Sequence, residues 1–133
     1  MTTAIDSSVL LDLLGDFVSA DAERAAAALE KAAREGALIV SECVIAEISP
    51  SIGSPGIAEF LADWHIEFIP STLEAARLAG EMYALYLEHG GRRGRVVPDF
   101  LIGAHAILLA DRLLARDRGY RRDYFRDLKL IEP

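Results

Sequence analysis

Cysteine occurs once in this sequence, at Cys43, so no internal disulfide is available and the fold must rest on burial and hydrogen bonding, as in a reducing cytoplasm. No apolar run approaches the roughly 18 residues that a bilayer-spanning helix needs. The opening MTTAIDSSVLLDLL has no basic residue ahead of its apolar stretch and places Asp6 inside it, which argues against a secretory signal. Lysine is scarce, with only Lys31 and Lys129, and there are no internal repeats or low-complexity tracts. Together these absences exclude a membrane span and a disulfide scaffold. They lead to the expectation of a soluble, cytoplasmic protein.

What is present is a core. The 133 residues are 52% hydrophobic, with a mean hydropathy of +0.22, which suits one domain over residues 1–133. The net charge of −7 divides unevenly along the chain. Residues 1–91 carry 15 acids and 4 bases, whereas residues 92–133 carry 6 acids and 10 bases, nine of them arginine. Arginine is suited to bidentate phosphate contact. The basic segment reads either as a solvated surface or as a phosphate-facing rim beside an acidic pocket.

Helix and strand signals alternate. Thr3-Ala4-Ile5 reads as a short strand ending at Asp6, and Ser7 and Ser8 are placed to cap a helix over Val9–Leu14. Asp21 opens an alanine-rich helix closed by Gly36, and Ala37–Val40 reads as a buried parallel strand. A helix capped by Ser41 follows, interrupted by Pro50 and the Ser/Gly/Pro run to Gly56, with another helix to about Trp64. Ile66–Ile69 is a third strand, and Ser71-Thr72-Leu73-Glu74 fits a capping box for a long helix to His89. After the loop GGRRGR, Pro98 and Asp99 open an apolar helix. Arg112–Arg116 is a strand leading to Asp117, and Lys129–Ile131 a final edge strand. The pattern predicts an α/β fold with a mostly parallel sheet.

Four acids fall at the ends of separate elements. Asp6 follows a strand, where an Asp also serves as an ordinary N-cap. Glu47 lies within VIAEI and is expected to face inward as a carboxylate in need of a partner or a metal. Asp99 meets the positive end of a helix dipole, and Asp117 follows a strand. Glu42 is a poorer candidate, being about 140° from Glu47 around the helix and already explained by the dipole. Ends of parallel strands are where such folds build their sites, so Asp6, Glu47, Asp99 and Asp117 are expected to meet. Clustered carboxylates imply a hard cation, Mg²⁺ or Mn²⁺ rather than Zn²⁺, and hence metal-dependent phosphodiester hydrolysis.

MTTAIDSSVLLDLL, then VIAEI, then PDFLIGAHAILLADRLLARDRGYRRDYFRDLKLI resembles a PIN-domain protein of the VapC type, the toxin half of a VapBC toxin–antitoxin pair. The third segment carries the most specific likeness, with its small residues Gly103, Ala104 and Ala106 and its tail RDRGYRRDYFRDL. The resemblance implies a three-layer α/β/α sandwich and Mg²⁺- or Mn²⁺-dependent endoribonuclease activity. It implies also a homodimer and a VapB-like antitoxin seated in the active groove. The family's acidic quartet falls on Asp6, Glu47, Asp99 and Asp117, and its first hydroxyl position on Ser7 or Ser8. One position departs: Ala115 stands where the family often has Thr or Ser, leaving Ser8, water or Arg116 to position Asp117.

The RNA-facing candidates are Arg92, Arg93, Arg95, Arg118, Arg121 and Arg122. Tyr120, Tyr124 and Phe125 among them read equally as base-stacking or as core residues. His105 reads as a core histidine, Cys43 as packing, and Phe60 with Trp64 as core or a dimer face. Two rival functions remain. One is a catalytically inactive PIN-fold binding partner. The other is a phosphoaspartate phosphatase or receiver domain with Asp6 as nucleophile, which lacks the second Asp or the strand-end Lys it requires.

Overall fold

The computed structural model describes residues 1–15, 19–93, 96–121 and 123–133, of which residues 118 and 121 are described in their backbone alone. Strands β1 (Thr3–Ile5), β2 (Leu38–Val40), β3 (Ile66–Phe68), β4 (Arg112–Leu114) and β5 (Leu130–Ile131) form one sheet in the order β3-β2-β1-β4-β5. Every pairing is parallel, with Ala4 opposite both Ile39 and Leu113. The helices are α1 (Ser7–Leu14), α2 (Ala20–Glu35), α3 (Glu42–Ile52), α4 (Ile57–Asp63), α5 (Leu73–Glu88) and α6 (Val97–Leu109). β1 and β2 are buried at every residue, as expected for parallel strands covered on both faces.

The strand order determines where a site can form. From β1 the chain steps outward through β2 to β3, then returns past β1 to β4 and β5. Helix α1 packs on α2 and α3, and α5 packs on α6, as right-handed crossovers in this strand order, with helices on both faces, lead one to expect. Connections therefore leave β1 and β4 in opposite directions, and the carboxyl ends of these neighbours form the switch point where α/β sheets open a crevice.

Local chemistry explains the helices. Ser19 caps α2 by accepting from Ala22 N at 3.0 Å, and Ala22, Ala25, Leu29 and Ala32 form its inward stripe. Thr72, rather than Ser71, caps α5, accepting from Ala75 N at 3.1 Å. Helix α1 begins two residues earlier than its apolar pattern indicated, because Asp6 itself is the N-cap. Pro50 does not interrupt α3. It rides in the last turn, and the helix ends at Gly53, whose φ of 84° is a left-handed conformation glycine adopts freely. Gly103 of α6 is required by packing, since a Cβ there would stand 2.5 Å from the Phe125 ring. Phe60 and Trp64 line, with Leu13, Leu14, Ala22, Glu23 and Ala26, a groove of about 400 Å³. Among the described residues, no helix is long and apolar enough to cross a membrane.

Candidate active site

Asp6 is the anchor. Its backbone N donates to Leu114 O at 2.9 Å, fixing it between the ends of β1 and β4, and only 3% of its surface is exposed. Its Oδ2 accepts from Ser8 N at 3.0 Å and from Ser8 Oγ, and its Oδ1 accepts from the Tyr120 hydroxyl at 2.7 Å. The capping reading of Asp6 is realised by Oδ2, while Oδ1 is engaged by Tyr120. Ser8 Oγ also accepts from Arg116 N at 3.1 Å, tying the exits of the two strands together. Burial first, and then the carboxylates of Asp6 and Asp99, push the Tyr120 hydroxyl far above its ordinary value, so it remains a donor.

Glu47 reaches the same edge from α3. Ser7 Oγ donates to its Oε1 at 3.0 Å. It does not face inward as its apolar neighbours suggested: the residue is exposed, while Val44 and Ile48 form the buried stripe of α3. Sequence neighbours on a helix point in different directions, and Glu47 lies about 100° from Ile48, toward the open edge. Partial shielding of its carboxyl from water, joined by repulsion from Asp6 and Asp117, raises its pKa, against the lowering effect of the Ser7 bond.

Asp99 is half-buried in the first turn of α6, and Asp117 is exposed beyond β4. Asp117 Oδ1 accepts from Gly119 N at 2.8 Å. A Cβ on Gly119 would lie 3.2 Å from Asp117 Oδ1 and 3.7 Å from Asp99 Oδ2, so both acids close over this bare Cα. Cys43 reports the shared field. Burial and then Glu47, Glu42, Asp99 and Asp6 push its thiol up to about 11, which leaves it an inert packing residue. The four acids therefore share one edge. Among the described residues, however, no three His, Cys, Asp or Glu side chains draw together closely enough to hold a metal ion as they stand.

The PIN-domain family model matches residues 3–125. The chain belongs to the PIN-domain family. PIN domains are generally nucleases. The PIN fold is shared with VapBC2 from Rickettsia felis bound to a DNA fragment from its promoter, at 18% identity and a TM-score of 0.78 over 99% of this chain and 98% of that one. It is shared also with FitAcB from Neisseria gonorrhoeae, at 18% identity and a TM-score of 0.69 over 97% and 96%. VapBC-1 from nontypeable Haemophilus influenzae gives 15% identity and a TM-score of 0.73 over 99% and 98%. At such identities the likeness is one of fold. No curated protein matches the sequence.

The remaining site candidates of the PIN domain separate clearly. Arg116 is drawn away from the acids, its Nε and Nη2 bonding Asp12 at 2.7 and 2.8 Å. Only its backbone serves the site. Glu42 Oε2 accepts from Ser71 N at 2.8 Å and so secures the approach to α5. Arg92 and Arg93 are exposed, while Arg95 and Arg122 and the side chains of Arg118 and Arg121 lie outside the described residues. His105 is a core residue, 1% exposed, its Nε2 donating to Ile69 O at 2.8 Å. Tyr120 is the residue whose role was missed. An aromatic residue three positions after the last acid reads as core, and nothing local reveals that its hydroxyl meets a carboxylate 114 residues away.

Proposed function

We propose that this PIN domain is a Mg²⁺- or Mn²⁺-dependent endoribonuclease, the VapC-type toxin of a toxin–antitoxin pair, that hydrolyses RNA phosphodiester bonds with Asp6, Glu47, Asp99 and Asp117. What supports this reading is a PIN fold that carries a buried acid, Asp6, held by three donors at the β1/β4 switch point, with Glu47 bonded to the neighbouring Ser7. The donor set, all carboxylate oxygen, fits a hard cation and no soft one. Asp6 and Asp99 would hold it, with Glu47 and Asp117 beside them. Such an ion, when bound, offsets phosphate charge and lowers the pKa of a coordinated water.

The chain's own residues set the stage. Ser8 and Tyr120 hold Asp6 in one orientation, and Ser7 steers Glu47. Glu47 and Asp117 leave this edge open to substrate. Water attacks phosphorus in line, leaving a 5′-phosphate and a 3′-hydroxyl, because the ribose 2′-hydroxyl is not the nucleophile. Solved relatives of the same fold that are VapBC complexes support a VapB-like antitoxin as partner, and a homodimer accords with the family.

The test is cleavage of a mixed-sequence RNA with Mg²⁺ or Mn²⁺, repeated in EDTA, with end mapping. Metal dependence and 5′-phosphate ends are expected. Cleavage that persists in EDTA, or cyclic phosphate ends, overturns the mechanism. A second reading, a PIN-fold partner without catalysis, is favoured by the wide spacing of the acids. It predicts no heat on titration with Mn²⁺, against saturable binding for the nuclease.

A further inference from the structure

A chain of aromatic rings runs outward from the acids. Tyr120, bonded to Asp6, meets Phe125 at 5.2 Å between ring centroids, and Phe125 stacks on Phe100 at 5.2 Å and 11°. Phe100 directly follows Asp99 and meets Tyr86 at 5.6 Å and Tyr124 at 6.3 Å. Tyr124 then meets the exposed His89 ring at 6.0 Å. The inner rings are buried, but Tyr86 and Tyr124 are only half-buried, and with His89 and Asp123 they line an open cavity of about 550 Å³. A second cavity of about 490 Å³ shares His89, Asp123 and Tyr124 and adds Arg126 and Asp127.

Two features indicate what this cavity accepts. The first is charge: Arg92 and Arg93 leave α5 just after His89, and both, like Arg126, are exposed. Aromatic faces among arginines are the pattern that binds single-stranded nucleic acid, rings taking bases and guanidinium groups taking phosphates. The second is continuity. Helices α5 and α6 run antiparallel, so the end of α5 bearing Tyr86 and His89 lies beside the start of α6 bearing Asp99. His89 Nδ1 donates to Leu85 O at 2.8 Å, which leaves Nε2 as the edge offered to a ligand, and the Asp123 carboxylate accepts from base N–H groups.

We infer that the Tyr86–His89–Tyr124 cavity is a nucleobase subsite that stacks one unpaired base of an RNA strand whose scissile phosphate lies at the acidic edge. This rests on the ribonuclease reading above and adds to it the site where the strand is gripped. Recognition is then of unpaired RNA, since a base held in a duplex cannot present its face to Tyr124.

The test uses the full chain carrying Asp99→Asn, so that RNA survives, and a labelled single-stranded oligoribonucleotide in which one abasic position is walked along the sequence. The parent should show a loss of about tenfold in affinity at one register. Tyr124→Leu should bind the intact strand about tenfold more weakly and lose that register dependence, whereas Tyr124→Phe, which keeps the ring, should retain both. With Asp99 intact, Tyr124→Leu should raise KM and leave kcat near its original value. Affinity unchanged in Tyr124→Leu, or weakened equally at every register, overturns the subsite. If that variant leaves RNA affinity unchanged but alters the sedimentation of the protein, the face belongs to a protein contact and the inference fails. A wild-type chain that cleaves RNA while the subsite tests fail leaves the nuclease reading standing. One that neither binds nor cleaves RNA removes both.

Discussion

The two sides of the acidic edge are built differently. Asp6 is buried at the centre of the sheet and accepts from three donors, two of them from Ser8 in its own first helical turn. Across from it, Glu47 and Asp117 are exposed, and among the described residues Glu47 accepts from Ser7 Oγ and Asp117 from Gly119 N. One side is buried within the fold, and the other stands at the solvent-facing ends of α3 and β4. In the proposed cation site, the buried half would set position and the exposed, adjustable half would close on the ion. That difference accounts for four acids that share an edge without converging on one point. It also makes the two sides separable by substitution.

The largest effect is expected at Asp99, which faces Asp117 across Gly119. Asp99→Asn keeps size and much of the helix-start hydrogen bonding while removing one like charge. Cleavage should fall by orders of magnitude. In metal-free buffer the variant should melt level with or above wild type, because repulsion is relieved. Stabilisation by Mn²⁺ should shrink, since it follows RT ln(1 + [L]/Kd). Paired thermal melts with and without Mn²⁺ settle the matter. A variant that melts lower without metal yet gains as much from Mn²⁺ would place the ion elsewhere.

Next in size is Tyr120→Phe, which strips one donor from the buried half and leaves the ring in place. A buried hydrogen bond to a charged acceptor contributes about 1.5–3 kcal/mol, so the urea midpoint should fall correspondingly without a change in slope. Cleavage should drop about tenfold as Asp6 gains freedom, much as loss of a group supporting a metal ligand typically does. Unchanged stability would mean the fold, not the hydroxyl, orients Asp6.

The contrast also explains what could be read in advance. Strand-end acids, parallel strands and the switch point follow from local patterns: the short strand Thr3-Ala4-Ile5 before Asp6, Pro98 before Asp99, alternating helix and strand. Glu47 reads as an interior carboxylate, because VIAEI looks apolar until the helix is given a direction by Val44 and Ile48. Arg116 reads as one of three candidates, with Ser8 and water, to position Asp117, and only the folded chain brings its guanidinium to Asp12, 104 residues earlier. Tyr120 shows the same limit. Contacts made across the sheet by side chains of ordinary type leave no local signal, whereas caps and strand ends do.

A smaller effect probes the adjustable half through pH. The pKa of Glu47 is raised in the folded state, mainly by shielding from water and then by Asp6 and Asp117. A raised folded value favours the protonated form, so the stability contributed by this group is present below the ordinary glutamate pKa and is lost as pH rises through the raised one. Glu47→Gln should therefore flatten the fall in metal-free stability across that window. Ser7→Ala removes the one bond that lowers the value, and the Glu47 carboxyl should then titrate still higher by NMR. A downward shift in Ser7→Ala would show that Ser7 does not hold the charged form.

The smallest effect is expected at the Arg116 side chain. Arg116 and Asp12 form a two-point ion pair, but the arginine side chain is 53% exposed and the aspartate 11%. Exposed pairs contribute about 0–1 kcal/mol and weaken with salt. Arg116→Gln should thus lower stability by under about 1 kcal/mol in dilute buffer, with the difference shrinking as salt is added. Its backbone N, which donates to Ser8 Oγ, survives the substitution, so the link between the β1 and β4 exits remains. Removing the hydroxyl with Ser8→Ala breaks that link and takes a donor from Asp6, and it should reduce cleavage far more than Arg116→Gln does. If Arg116→Gln instead matched Ser8→Ala in lost cleavage, the guanidinium would have to leave Asp12 and act at the acids, and the division between a buried and an adjustable side would have to be redrawn around it.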